Sequence, residues 1–418
     1  MIRIGLSTLL LTTLFLQGAV DDDMSGFGDD EVVESNITTS EEESKPLIEG
    51  LTGEITQGVV YRLNNKTTHD DISSFKSSLF LDYEHKFDNG IRFKINAKGY
   101  YDFNSYIDAL QDEVEVYDAF VEGKISENFD YKIGRQVVVW GRSDTIRVTD
   151  VLNPLDNRTP AFTDIKDLRL PVNMAKFDYF MGDWRVSAMA ILEQRFSKNP
   201  PFGSDFNPSS IKAPADKDYD DITYAMSVTG EFSGWDISFY GADIRNDAQK
   251  INHDKIKMFG GAINILQGSW LFKGELAYFD GLKYISTANK EFKRLDILLG
   301  LEYNGITDTV LSYDIVKRTI SDYDNRLLLE FNPLEEDTYQ HAFRVTSEFF
   351  NASLKANYLI SLYGKSGNKG GFQRLWGEYE ISDGINASFG VVDYIGGSKM
   401  FDMIEDNDKV FVDISYSF

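Results

Sequence analysis

The chain has 418 residues, a formal charge of −25 and no cysteine. No disulfide, thiolate chemistry or Cys-ligated metal site is available to it, and so acidic a chain has no general affinity for nucleic acid. Its 22 Tyr and 30 Phe are a load suited to strands and to membrane interfaces.

Residues 1–20 read as a secretory signal: Arg3 gives the positive start, Leu9–Leu16 the apolar stretch, and Gly18-Ala19 the small residues near a cut. Residues 21–46 follow as an acidic, Ser/Thr-rich segment, with ten acids and one Lys over 21–45. That composition predicts a disordered periplasmic linker or a short partner-binding peptide. After Val20 there is no run of eighteen apolar residues, so no spanning helix is expected.

From residue 47 to the end, alternating segments of about ten residues recur, the length that spans a bilayer at barrel tilt. Ile91, Phe93, Ile95 and Ala97 share one face, and Arg92, Lys94, Asn96 and Lys98 the other. Leu295, Ile297, Leu299 and Leu301 alternate in the same way with Arg294, Asp296 and Glu302. Tight Gly- and Asn-bearing turns, such as Asp88-Asn89-Gly90, Gln267-Gly268-Ser269 and Asn304-Gly305, alternate with long polar connections. Short periplasmic turns and long external loops are the barrel rule. With both ends periplasmic, the number of strands is even. The expectation is an all-β transmembrane antiparallel β-barrel of about eighteen strands, with sixteen as the alternative, in a bacterial outer membrane. Trp184, Trp235 and Trp270 each follow a tight turn and are expected to form an aromatic girdle at one interface. The chain ends in an alternating strand, Val410, Val412, Ile414, Tyr416 and Phe418 on one face. Such a terminus resembles the strand that barrel-assembly machinery recognises, with Tyr416 and Phe418 as the signal.

The third external loop, 141–171, differs from the others. It mixes Ile146, Val148, Val151, Leu152 and Leu155 with alternating Arg and Asp, so it has something to pack against. It is long enough to fold into the lumen and narrow a pore. Arg142, Asp144, Arg147, Asp150, Asp156 and Arg158 are the candidate constriction residues, with Trp140 and Pro154 as loop anchors. Opposed charges set up a transverse field that selects polar or charged solutes. The competing reading is that the same Arg–Asp pairs staple the loop to the wall.

Three stretches carry a resemblance: Gly134-Arg135-Gln136-x-Val138-x-Trp140-Gly141-x-Ser143-Asp144, then Arg147-x-x-Asp150-Val151-x-Asn153-Pro154-x-Asp156-x-Arg158, then Asp167-x-Arg169-x-Pro171. They resemble the domain-of-unknown-function 1302 family of Gram-negative outer-membrane proteins, often encoded near RND-type (resistance–nodulation–division) exporters and a companion periplasmic protein. The resemblance implies envelope transport and supplies no substrate or catalytic residue.

Inward positions on this register include Lys76, Lys98, Lys273, Arg344 and Arg374 against Glu275, Asp296, Asp314 and Glu378, so the lumen is nearly balanced in sign. A slip of one residue would exchange the faces. Four His occur, His69, His85, His253 and His341, none beside a Ser in a nucleophile motif, and there is no phosphate-cradling or zinc motif. The expectation is a pore for small molecules with no enzymatic activity and no cofactor. Its partners would be outer-membrane lipid and the assembly machinery. One alternative is the outer-membrane component of an RND-linked export route for lipidic or hydrophobic compounds, docked to a periplasmic protein. The other is a non-transport surface or structural barrel.

Overall fold

The structure, a computed structural model, describes residues 49–64, 71–207, 212, 216–247, 253–287 and 289–418. The signal and linker expected over 1–46 lie outside the described residues. The first nine strands are β1 Leu51–Arg62, β2 Ile72–Lys86, β3 Arg92–Asp102, β4 Asp112–Ser126, β5 Phe129–Gln136, β6 Val172–Met181, β7 Trp184–Ile191, β8 Thr223–Phe232 and β9 Trp235–Arg245. The rest are β10 Lys255–Gln267, β11 Trp270–Leu282, β12 Phe292–Ile306, β13 Thr309–Ser321, β14 Asp337–Phe349, β15 Leu354–Tyr363, β16 Gly371–Ser382, β17 Ile385–Ile395 and β18 Lys409–Ser417. Each pairs antiparallel with its chain neighbours in one 18-stranded sheet, and β18 returns to β1 through Glu54↔Ser417 to Arg62↔Lys409. The barrel is closed, and eighteen rather than sixteen is the strand number.

Closure matters because a lipid-exposed strand edge would leave backbone donors and acceptors unpaired. At the seam the Gly53 and Phe418 backbones exchange both hydrogen bonds at 2.8 Å. A Cβ on Gly53 would lie 2.5 Å from the Phe418 ring, so the glycine makes the seat for the terminal aromatic.

The alternation read from the sequence holds on the wall. Leu276, Ile297, Leu299, Phe343, Phe389 and Val412 are exposed on the outer surface. Trp184 and Trp235 pack on Phe232, and Trp270 on Tyr303, at the tight-turn end of the barrel. Near the other end of β11, outward Asp280 is flanked by Lys257 and Lys293 on the neighbouring strands. At 3.4 Å per residue and a tilt near 40°, Trp270 and Asp280 bracket a belt of about 26 Å, the height of a bilayer's hydrocarbon. No helix among the described residues is long and apolar enough to cross a membrane; the strands cross it.

One turn differs from expectation. Asn304 and Gly305 lie inside β12, and the chain reverses at Thr307-Asp308, where Asp308 adopts φ 53°. Gly305 is small for another reason: a Cβ there would sit 2.2 Å from the Tyr303 hydroxyl. The ring covers the glycine on the strand.

Candidate functional site: the inward loop and the lumen beside it

After Gln136 the chain leaves the wall and enters the barrel. Its first stretch docks on the β6–β14 side. Trp140 is buried and stacks on Tyr240 of β9, ring centroids 4.7 Å apart. Gly141 then turns with φ 92°, which presents successive amides to one acceptor. The Glu275 carboxylate of β11 takes hydrogen bonds from the backbone N–H of Arg142 at 2.6 Å, Ser143 at 2.9 Å and Thr149 at 3.1 Å, and from Thr149 Oγ1 at 2.7 Å. A Cβ on Gly141 would stand 2.8 Å from that carboxylate, so no larger residue fits the turn. Asp314 of β13 accepts from Ser143 Oγ at 2.7 Å and Thr145 Oγ1 at 2.6 Å. The Arg142 guanidinium reaches Asp236 at 2.7 Å and Ser238 at 2.8 Å on β9.

Apolar contacts complete the dock. Ile146, Val148 and Leu152 are buried in one cluster with Met174, Met189, Ala242, Met258, Ala277, Leu298, Val316 and Ala342 of the inner wall. Each such side chain, fully buried, contributes about 1.5–3 kcal/mol. Small wall residues leave the room: a Cβ on Gly260 would press on Thr149 Cγ2 at 3.1 Å. Inside the loop, Asp150 pairs with Arg147 at 3.1 Å and Arg169 at 2.9 Å. Asn153 accepts from Val138 N at 2.8 Å, and the Pro154 carbonyl accepts from Leu170 N at 2.7 Å. These contacts tie the start of the loop to its end.

The second stretch crosses the lumen. Arg158 holds Glu113 of β4 at 2.6 Å, Asp156 at 2.5 Å and the Tyr100 hydroxyl at 3.3 Å. Asp164 sits between Arg344 at 2.9 Å and Arg374 at 3.3 Å. Beside this stretch, against β1–β4 and β16–β18, remains a cavity of 640 Å³. Lys76, Lys98, Tyr100, Asp156, Arg158, Asp167, Glu378 and Asp413 are among its lining. Lys76 lies over the Tyr100 ring at 4.6 Å, and neither it nor Lys98 has a carboxylate at ion-pair distance among the described residues. A second cavity, of 120 Å³, lies on the other side of Phe162–Asp167. That segment lines both cavities, as do Arg374, Trp376 and Glu378, so the partition between them is there. The fourth external loop, 192–222, adds Ser204, Asp205 and Phe206 to the lining of the large cavity. Its Asp205 is clasped by Lys409 at 2.6 Å, Arg62 at 3.1 Å and the Tyr106 hydroxyl at 2.8 Å.

Burial shifts several of these groups. The Tyr106 hydroxyl is pushed up to about 12 by burial and by its bond to Asp205. Burial raises the Asp167 carboxyl above the ordinary carboxylate range. Burial works the same way on Asp156, but the Arg158 guanidinium outweighs it and holds that carboxyl low.

The six candidate charges therefore fall into two places. Arg142, Asp144, Arg147 and Asp150 are on the docked stretch, with Asp144 largely exposed and 3.4 Å from Lys273. Asp156 and Arg158 line the large cavity. The sequence places Glu275 and Asp314 inward but gives no signal for the loop amides and hydroxyls they receive. It sets Asp167 in the family-like motif and Asp164 in the same loop without a role for either, and it does not single out Asp205.

A closed 18-stranded barrel with an apolar belt, an aromatic girdle and an inward third loop defines a porin-like protein of the outer membrane. Residues 63–418 match the family described as Protein of unknown function (DUF1302), and the chain belongs to that family. No curated protein sequence matches it. Solved barrels share the fold. OccAB1 of Acinetobacter baumannii is 11% identical, with TM-score 0.56, covering 90% of this chain and 98% of its own. Pseudomonas aeruginosa OpdK, in a structure with vanillate, is 10% identical, with TM-score 0.55 and coverage of 88% and 98%. P. aeruginosa OccK8 (OprE) is 12% identical, with TM-score 0.52 and coverage of 90% and 99%.

Proposed function

We propose that the protein is a diffusion pore for small hydrophilic solutes, with the loop segment 154–168 as its constriction. The observation that carries this reading is the cavity of 640 Å³ lined by ionisable side chains beside that segment. Lys76 and Lys98 of β2 and β3, Glu378 and Asp413 of β16 and β18, and the loop's Asp167 line it together, with Lys76 and Asp413 on either side of Gly58, and such charges of opposite sign orient a polar solute in transit. A structural neighbour that holds vanillate supports a solute of that size. The docked stretch with Arg142, Asp144, Arg147 and Asp150 sets the position of the filter, while Asp156 and Arg158 act in it. An export route for hydrophobic compounds, with an RND-type partner, calls for an apolar path, and the charged lining favours the hydrophilic solute instead. Tyr416 and Phe418 would serve assembly rather than passage. Planar-bilayer recording tests the reading: deletion of 144–156 frees the constriction and raises single-channel conductance, and unchanged conductance would refute it.

A further inference from the structure

Strands β4 and β5 are unequal. β4 runs over Asp112–Ser126, but its ladder with β5 covers only Ala119–Ser126. From Asp112 to Asp118 the β5 side of β4 has no strand partner among the described residues. On the lumen side of this stretch is a short ribbon made by the third and fourth external loops, in which Asn157 N donates to Lys198 O at 2.7 Å and Lys198 N to Leu155 O at 2.9 Å. This ribbon and β4 are joined by side chains. Glu113 meets Arg158 at 2.6 Å and Lys198 at 2.7 Å; Glu115 meets Lys198 at 2.5 Å, Arg135 at 3.4 Å and Arg195. The ladder with β5 takes in Phe129–Arg135, seven of that strand's eight residues, so the seam is the overhang of the longer β4. An ionic zipper of mobile side chains opens far more readily than a ladder.

The seam's height is informative. At 3.4 Å per residue and 40° tilt, Asp118 stands about 21 Å and Asp112 about 36 Å above the periplasmic end of β4. The unpaired edge thus covers the outer rim of the apolar belt and the headgroup zone above it. Free backbone groups are not tolerated in hydrocarbon but are satisfied by water or a headgroup. Outside the seam, Val114 is 84% exposed and Val116 is also exposed. Immediately inside it, Glu113, Glu115, Tyr117 and Arg158 line the large cavity. An apolar outer lip, a polar edge and a charged inner chamber in succession fit a molecule with an apolar tail and a small polar head.

We propose that the seam between β4 and the Leu155–Asn157/Ser197–Lys198 ribbon is a lateral portal. Single-chain amphiphiles of the outer leaflet pass through it into or out of the lumen, headgroup first, when the zipper of Glu113 and Glu115 opens. The proposal rests on the pore reading and adds a second entrance to it.

The native chain has no cysteine, so an introduced one is uniquely labelled. Val114→Cys is placed on the outer lip, and Lys293→Cys, an outward exposed position on β12, serves as control. Each variant is reconstituted, labelled with a bulky maleimide, and read in two ways: transfer of a fluorescent medium-chain fatty acid from the bilayer, and conductance in potassium chloride. Labelling Val114→Cys lowers transfer by about tenfold and leaves conductance within about twofold, while labelling Lys293→Cys changes neither. Joint replacement Glu113→Gln and Glu115→Gln unzips the seam and raises transfer by about tenfold. Unchanged transfer after Val114→Cys labelling, or an equal loss from Lys293→Cys, overturns the portal. Protection of Val114→Cys from labelling by an extended peptide but not by the fatty acid would overturn it as well. Absence of conductance before labelling overturns the pore reading instead.

Discussion

The two sides of the barrel interior obey the same alternation and reach opposite results. On the β6–β14 side, inward positions hold Met174, Met189, Ala242, Met258, Ala277, Leu298 and Val316, all buried beneath the third loop. On the side of β1–β4 and β16–β18 they hold Lys76, Ser78, Lys98, Tyr100, Glu378, Ser388 and Asp413 around open space. Facing inward in a barrel therefore does not mean facing water. Where a loop folds in, the lumen acquires a hydrophobic core of its own, and the open space is left on the other side. Apolar inward residues mark where a loop docks, and ionisable ones mark where it does not.

The sharpest way to break this contrast is to release the loop. Glu275→Ala removes the acceptor of three backbone amides and one hydroxyl at once. Two of these donors, the Thr149 amide and hydroxyl, are buried, and each orphaned buried donor costs about 1–3 kcal/mol, so the docked stretch loses about 2–6 kcal/mol of its hold. The expected outcome is a conductance rise of several-fold with rapid flicker, together with new protease cuts between residues 141 and 153. A quiet channel of unaltered conductance would show that apolar packing alone holds the loop. The wall residue, not the loop's own charges, is the decisive one in this comparison.

A smaller effect tests the open side. Lys98→Glu changes the sign of a cavity-lining charge that has no ion-pair partner among the described residues. Stability changes little, because no partner is orphaned. Selectivity moves toward cations by about threefold to tenfold, read as a reversal potential in a salt gradient. An unchanged reversal potential would place the conducting path away from this cavity.

Much of the fold was legible in the sequence, and the reason is local. Period-two alternation, turn chemistry and an aromatic terminus are each written within ten residues of chain, so strand number and facing followed. The turn at Phe350–Ser353 shows the limit, since Phe350, Asn351 and Ala352 take φ of 55°, 55° and 68° without a glycine to announce them. The site was legible only in part. That the third loop enters the lumen follows from its apolar content. Which of its charges meet solvent depends on partners far along the chain, such as Asp236 for Arg142, 94 positions away, and Lys273 for Asp144, 129 positions away. Asp167 stands in the family-like motif and Asp164 three residues before it, yet nothing local gives either a role; the pairing of Asp164 with Arg344 and Arg374 across the lumen does, as does the place of Asp167 in the lining of the large cavity.

The finest test uses two acids on the crossing segment that are shifted in opposite directions. Burial raises the Asp167 carboxyl, so its folded form binds a proton more tightly than the unfolded chain does. Stability at this residue therefore grows as pH falls through its raised value. For Asp156 burial also raises, but Arg158 prevails and the carboxyl is held low. Its contribution is present above the usual carboxylate range and is lost only as pH falls through its depressed value. On acidification the cavity sheds the Asp167 charge first and keeps the Asp156–Arg158 pair intact. Cation preference should drop by about twofold in that upper step, recorded as a reversal-potential shift between neutral and mildly acidic buffer. Asp167→Asn removes the step and fixes the channel in its acid-side selectivity, whereas Asp156→Asn leaves the step in place and loosens Arg158. A step that survives in Asp167→Asn would assign the titration elsewhere in the lumen and detach the crossing segment from ion selection.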